Sequence, residues 1–467
     1  MERYYLAVDI GASSGRHMLG HLADGKMMLE EIYRFPNGMK QKGQSLCWDL
    51  ELLFSEIMEG LCRCRRLGKI PVSMGVDTWA VDYVLLDSQD RILGDSFGYR
   101  DGRTQGMDRL VAERISPEEL YSRTGIQKQT FNTIYQLEAV RRTHPEYLER
   151  AETFLMLPDY FHFLLTGRKY SEYTNATSTQ LVNAQSGSWD LELLERLGLP
   201  SSIFLPLQMP GFQAGALRDE LAERAGFSCR VVLPATHDTA SAVMAVPCPE
   251  GDCLYISSGT WSLIGTENQK PICTPESRQK NLTNEGGYEK RFRYLKNIMG
   301  LWMIQCLRHE LGDAYSFGQL ADMAQACDSF PSRVDVNSQV FLAPESMRKA
   351  IQDQCRESGQ PVPETPGELA AVIYHSLAES YAQAAGEIEA LTGKRFESIC
   401  IVGGGSNADY LNLLTARESG RRVLAGPGEA TAAGNLMAQM IAGGEFESLA
   451  QARRCAARSF PLKEYLP

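Results

Sequence analysis

Apolar and polar positions fall into two regimes along this chain: short apolar runs broken by small-residue turns, and longer stretches with helical spacing. Three of the short runs share one form. Residues 4–19 read YYLAVDIGASSGRHML, an apolar run, a turn of small residues and a second extended run. The segment continues to Asp24-Gly25 and the run KMMLEEIYRF, and Asp-Gly between two extended runs predicts a hairpin. Residues 74–86 read MGVDTWAVDYVLL and end at the polar turn Asp87-Ser88-Gln89-Asp90, and residues 253–265 read CLYISSGTWSLIG. The first and third are similar and lie about half a chain apart, as an internal duplication would place them. Helical spacing predicts helices over 298–311 and 368–391, the second closed by Thr392-Gly393. Strands and helices interleave throughout, which predicts the α/β class.

Length adds a division into domains. A chain of 467 residues exceeds what one hydrophobic core organises. Pro247-Cys248-Pro249-Glu250-Gly251 has the composition of a linker. The expected domains are therefore 1–246 and 247–467. The net charge of −11 with no basic stripe argues against nucleic acid and anionic membranes, since phosphate neutralisation needs clustered cations. The densest basic group, Arg63, Arg65 and Arg66, sits in an amphipathic pattern and reads as a solvated helix face. An acid inside the first apolar run is unlike a signal or transit peptide, and no run approaches the ~18 apolar residues of a spanning helix. The twelve cysteines include no CxxC and no Cys/His ligand spacing, so a reduced, cytoplasmic protein without structural zinc is expected.

Candidate chemistry starts at the small-residue turns. Backbone N–H groups approach phosphate oxygens closely only where side chains are small. Asp9-Ile10-Gly11-Ala12-Ser13-Ser14-Gly15-Arg16 is one such turn and Ser257-Ser258-Gly259-Thr260 a second. Both lead into extended runs, so they are hairpin loops. Neither the P-loop nor the dinucleotide fingerprint applies, because both of those lead into a helix. Three consecutive glycines in SICIVGGGSNADYLNLLTA, Gly403, Gly404 and Gly405, exceed what a strand-to-helix turn needs and suggest a surface for a flat ligand.

The run VVLPATHDTASA passes from a buried strand into small residues, with Asp238 where a helix would begin. Asp there serves as an N-cap in any protein. The same position keeps a carboxylate ionised beside a substrate hydroxyl, ready to accept its proton during phosphoryl transfer. His237 and Thr239 flank it as hydrogen-bonding partners for a polyol, and Asp9 is placed to hold the Mg²⁺ of a nucleoside triphosphate.

Taken together, these segments resemble the FGGY family of carbohydrate kinases over nearly the whole chain. DIGASSGR is similar to that family's first phosphate loop, ISSGTWSLIG to its second, IVGGGSNADYLNLLTA to its adenosine-binding segment and ATHDTASAV to the segment carrying its catalytic aspartate. The resemblance implies a two-domain actin-like ATPase (ribonuclease H-like) fold with duplicated mixed β-sheet cores and an inter-domain cleft that closes over ATP and sugar. Within the family, GVDTWAVDYVLLD, LPDYFHFLLTG, NEGGYEKRFRYLKNIMGLWMIQ and THDTASAV resemble the members that phosphorylate L-rhamnulose at O1 in rhamnose catabolism. Carried over residue by residue, the resemblance makes Asp238 the base and His237 and Thr239 sugar ligands. Ala80, Asn297 and, in the loop expected to face the cleft, Trp79 join them on the sugar. Ala12, Ser13, Ser14, Gly15, Arg16, Thr260, Gln305 and Gly404 become ATP contacts. Ala80 departs from the family, which often has glycine there. Without the resemblance, Asn297 would read as a helix cap, Gln305 as a polar helix position and Trp79 as core. The small-residue loops alone do not separate L-rhamnulose from fuculose, xylulose or glycerol. The same ATPase core also serves chaperones and filament proteins, but the duplicated core leaves little chain for a peptide-binding domain.

Overall fold

The computed structural model describes residues 2–248 and 252–467, so Pro249, Glu250 and Gly251 of the expected linker lie outside the described residues. The chain forms two compact units. One comprises Met1–Ala245, Asn268–Tyr294 and Thr431–Ser459; the other comprises Val246–Glu267, Leu295–Ala430 and Phe460–Pro467.

The first unit is built on a six-stranded sheet in the order Gln213–Ala216, Arg230–Val232, Pro71–Thr78, Tyr4–Ile10, Ser14–Ala23, Lys26–Pro36. Tyr4–Ile10 is central, antiparallel to Ser14–Ala23 and parallel to Pro71–Thr78. Its residues are apolar on both sides because both faces are covered. Leu6, Val8 and Ile10 enter a core shared with Leu53, Ile57 and Leu61 of the helix Leu50–Arg66 and Phe161 of the helix Leu157–Thr166. The helix Ala430–Ala442 is held to the same sheet, where its Gln439 donates to the Leu6 carbonyl. Its Gly434 admits the helix Asp238–Met244: a methyl group there would lie 1.7 Å from the Ser241 carbonyl oxygen. The Asp24-Gly25 turn forms as expected, both residues having positive φ (50° and 71°) as a type I′ hairpin requires. The second short run behaves differently. Tyr83–Leu86 pairs with Thr153–Met156 instead of folding back on Pro71–Thr78.

In the second unit Leu254–Ser258 is antiparallel to Trp261–Asn268 and parallel to Ser398–Val402. Ser398–Val402 is parallel to Arg422–Ala425, which is antiparallel to Lys463–Tyr465. This is the pairing sequence of the first sheet over again, a duplicated mixed sheet of the actin-like ATPase type. Pro366–Thr392 is the long helix expected at 368–391. It starts earlier because Thr365 and Glu368 form a capping box on either side of Pro366, and it ends at Gly393 with φ 69°. The helix expected over 298–311 is shorter, Trp302–Glu310. Ile298 and Met299 belong to the strand Phe292–Met299, whose apolar residues are as compatible with a buried strand as with a helix.

Candidate active site

In the first unit the chemistry begins where adjacent strands carry acids at the same level. In the parallel pair Asp9 lies opposite Asp77, and in the antiparallel pair it lies opposite Arg16. Arg16 places Nε and a terminal nitrogen each 2.9 Å from Asp9 Oδ2. Asp77 is fully buried and accepts a 2.5 Å hydrogen bond at Oδ2 from Asn435, on the helix that covers this face. Its Oδ1 has no hydrogen-bond partner among the described residues. Burial, reinforced by the charge of Asp9, pushes the Asp77 carboxyl well above the usual carboxylate range.

Asp238 is the first residue of its helix, and His237 occupies the N-cap position with extended dihedrals (φ −77°, ψ 119°). The N-cap role that residue preference would give Asp238 therefore falls to its neighbour. The Asp238 carboxylate accepts from its own first turn, from the Thr239 N–H at 2.5 Å and the Thr239 hydroxyl at 3.1 Å. The side chain remains 30% exposed, so one edge of the carboxylate faces outward. Burial first, and then the charge of Asp9, pushes its pKa up to about 7. That is the range in which a carboxylate serves as a base at neutral pH.

His237 is fixed from the opposite side. Arg293, fully buried, lies with a terminal nitrogen 3.0 Å from His237 Nδ1 and 3.1 Å from Glu285, and its Nε donates to the Gly286 carbonyl at 2.9 Å. A guanidinium only donates, so Nδ1 must accept and the ring proton resides on Nε2. Nε2 stands 3.5 Å from Asp238 Oδ1. Burial, and next the Arg293 charge, drives the His237 pKa well down, so the ring is neutral.

The other residues singled out in the sequence divide between the units. In the first unit, residues 11–13 form the turn between the two hairpin strands, closed by the Gly11 N–H on the Ser14 carbonyl at 2.9 Å, with Ala12 half-buried and Ser13 exposed. Ser14, Gly15 and Arg16 already belong to the second strand. Trp79 is 6% exposed, packs tilted against Trp48 with ring centroids 4.0 Å apart and donates its indole N–H to Asp82 at 2.9 Å, leaving no donor on the ring for a ligand. Ala80 is half-buried and follows it. The strand end before them is tied to the Asp238 loop by the Thr78 N–H on the Thr236 carbonyl, 2.9 Å.

In the second unit, the Gly259 carbonyl accepts from Leu301 N–H at 3.0 Å and the Thr260 carbonyl from Trp302 N–H at 3.2 Å, which fixes the loop to the helix carrying Gln305. Asn297 lies in the strand Phe292–Met299 and caps no helix. The three glycines have separate causes. Gly403 has φ 83°, and a methyl group on Gly405 would lie 2.0 Å from Ser258 Oγ, whereas one on Gly404 would meet nothing within 4 Å.

Four residues of the first-unit cluster were not singled out in the sequence. Asp77 carries a signal: its VD pair ends an apolar strand just as the Val8-Asp9 pair does. Asn435, Glu285 and Arg293 carry none, since a polar residue in a helix or a short strand reads as surface until its neighbours are known. Asp9 and Asp77 are compatible with a divalent cation, because Asp77 retains a buried oxygen without a partner among the described residues and magnesium takes only one or two carboxylates. Among the described residues, no group of three or more His, Cys, Asp or Glu side chains is arranged to hold a metal.

Known proteins resemble this chain over nearly all of its length. The model of the FGGY family of carbohydrate kinases, N-terminal domain, matches residues 4–245, and that of the C-terminal domain matches residues 254–443. A rhamnulokinase of Halalkalibacterium halodurans is 52% identical, covering 99% of this chain and 98% of the relative. A rhamnulokinase of Bacillus subtilis is 45% identical over 99% of this chain and 95% of its own. Among solved structures, a gluconate kinase and a ligand-bound xylulose kinase, both from Lactobacillus acidophilus, superpose with TM-scores of 0.81 at 18% and 17% identity, covering 100% of this chain and 94% of theirs. With both domain models matched and a duplicated sheet of the same fold, the chain belongs to the FGGY family of carbohydrate kinases.

Proposed function

We infer that the protein transfers the γ-phosphoryl group of ATP to O1 of L-rhamnulose, giving L-rhamnulose 1-phosphate and ADP. Asp238 carries the kinase chemistry in this reading: a carboxylate with one open edge, poised near neutrality at a helix start. Similarity over 99% of the chain to relatives named rhamnulokinase supports the choice of sugar. As the O1–phosphorus bond forms, the bond from phosphorus to the β–γ bridging oxygen breaks and ADP leaves. The O1 proton passes to Asp238. The His237 Nε2–H and the Thr239 hydroxyl orient the sugar, with Trp79, Ala80 and Asn297 as further sugar contacts. Residues 1–246 supply the base and the first phosphate loop, Ala12 to Arg16. Residues 247–467 supply Thr260, Gln305 and Gly404 for the nucleotide. Asp9, with Asp77 beside it, would hold Mg²⁺, which supplies charge neutralisation on the phosphates when bound. An enzyme that draws on ATP and has no disulfide among the described residues belongs in the cytoplasm.

A coupled ADP-release assay with Mg-ATP against L-rhamnulose, L-fuculose, D-xylulose and glycerol tests the reading. The highest kcat/KM is expected with L-rhamnulose. Preference for another of these sugars would reject the substrate and keep the kinase, and ATP hydrolysis indifferent to sugar would reject both.

The glycine run offers a second test. Gly404→Ala should leave the melting temperature unchanged and weaken ADP binding about fivefold, the equivalent of about 1 kcal/mol of steric conflict with the ligand. Gly405→Ala should destabilise the fold by about 1–3 kcal/mol, because Ser258 must move. Thermal unfolding and ADP titration of both variants check the contrast, and normal ADP binding by Gly404→Ala would remove Gly404 from the site.

A further inference from the structure

We propose that the buried segment 172–178, EYTNATS, is the positioning element that sets the base loop and the sugar-side loop against one another. The proposal rests on the reading of Asp238 as base and of Trp79 and Ala80 as sugar contacts. Glu172 is fully buried, and its carboxylate accepts five hydrogen bonds from two places in the fold. Three come from its own short helix, Tyr173–Thr177: the Thr174 N–H at 2.8 Å, the Thr174 hydroxyl at 2.6 Å and the Asn175 N–H at 3.2 Å. The other two come from Thr236, two residues before Asp238: its N–H at 3.1 Å and its hydroxyl at 2.6 Å.

The residues that follow reach the remaining parts of the cluster. The Thr174 hydroxyl accepts from the His237 N–H at 3.4 Å. The Asn175 side-chain amide donates to the Thr236 carbonyl at 3.3 Å and to the Trp79 carbonyl at 3.4 Å, so one buried group spans both loops. The Thr177 hydroxyl accepts from the Gly286 N–H at 2.9 Å, beside the Glu285 that pairs with Arg293. The Ser178 hydroxyl accepts from the Val81 N–H at 3.3 Å. Val81 has φ 67°, a conformation unfavourable for a β-branched residue. Such strain persists only where the surroundings over-determine it, and here the Val81 carbonyl is also held by the Thr133 hydroxyl at 2.7 Å and the Gln136 amide at 3.2 Å. A plain core helix of five residues would need none of these side-chain bonds to the loops. Their convergence fixes where the sugar sits relative to the Asp238 carboxylate, and phosphoryl transfer depends chiefly on such positioning.

Two variants test this, the first with little change in volume at the buried site. Thr236→Val removes the hydroxyl from Glu172, and Asn175→Ala cuts the link between the Trp79 and Thr236 carbonyls. Each is expected to lower kcat/KM for L-rhamnulose on the order of 10²-fold, as a displacement of about 1 Å does. ADP affinity should stay at the wild-type value, and Thr236→Ser should restore activity by returning the hydroxyl. Melting temperature, ADP titration and kcat per folded molecule are measured on the same samples. Wild-type kcat and KM in both variants, with only the melting temperature lowered, would make the segment structural and overturn the proposal while leaving the kinase reading intact. A wild-type protein that phosphorylates no ketose would overturn the kinase reading, and this proposal with it.

Discussion

Asp238→Asn is expected to lower kcat by a factor of about 10²–10⁴, the usual contribution of a positioned base, while ADP binds with its wild-type affinity. Asparagine keeps the shape and the contact with Thr239 but cannot take the O1 proton. The pH dependence carries the same assignment. With a pKa near 7, Asp238 is protonated and idle in acid and ionised above neutrality, so wild-type kcat/KM should rise with pH and level off above about 7. His237 adds no limb there, because its pKa lies well below the ordinary imidazole value and the ring stays neutral throughout. Stability should move in the opposite direction to activity. The folded state raises the Asp238 pKa from 3.8 to about 7, so the ionised carboxylate opposes folding most fully above pH 7. At pH 8 the asparagine variant should therefore melt no lower than wild type. A variant keeping more than about a tenth of wild-type kcat, well short of the loss a base accounts for, would rule out Asp238 as the base.

Arg293→Met is expected to destabilise the protein by about 3–5 kcal/mol, the largest single-residue effect on folding that the site contains. The guanidinium is fully buried between Glu285, His237 Nδ1 and the Gly286 carbonyl. Removing it leaves the Glu285 carboxylate in the interior without its counter-charge. Burial already pushes Glu285 above its ordinary pKa and Arg293 pulls it back, so without the arginine it will bind a proton on folding. The loss of stability should accordingly be greater at pH 8 than at pH 6, because a proton bound on folding is costlier to take from solution as pH rises. Glu285→Gln in the same background should recover part of the loss. Urea unfolding at the two pH values measures all three effects. A destabilisation below about 1 kcal/mol at pH 8 would mean that the charges are solvated and the buried triad does not hold His237.

Much of this protein is legible in its residues because the signals are local. The YYLAVDIGASSGRHML and CLYISSGTWSLIG runs form hairpins, Asp24-Gly25 takes the turn its type demands, and Thr365, Glu368 and Gly393 bound the long helix. Each depends on dihedral preferences and hydrogen bonds within a few residues. Asp238 stands at a helix start for the same reason. What tertiary structure decided involves partners distant in sequence. Parallel register sets Asp77 beside Asp9, and the fold brings Glu172 to Thr236 across 64 residues and Asn435 to Asp77 across 358. It also decided that residues 298 and 299 finish a strand, and that the Trp79 indole is committed to Asp82. Periodicity tells an apolar face from a polar one, but a buried polar group is stable only with a specific partner. The sequence by itself therefore determined the duplicated strands, the turns and the place of Asp238 at a helix start. Packing alone chose the register and the buried hydrogen bonds around Asp238, because those partners meet only after the sheet and its covering helices have formed.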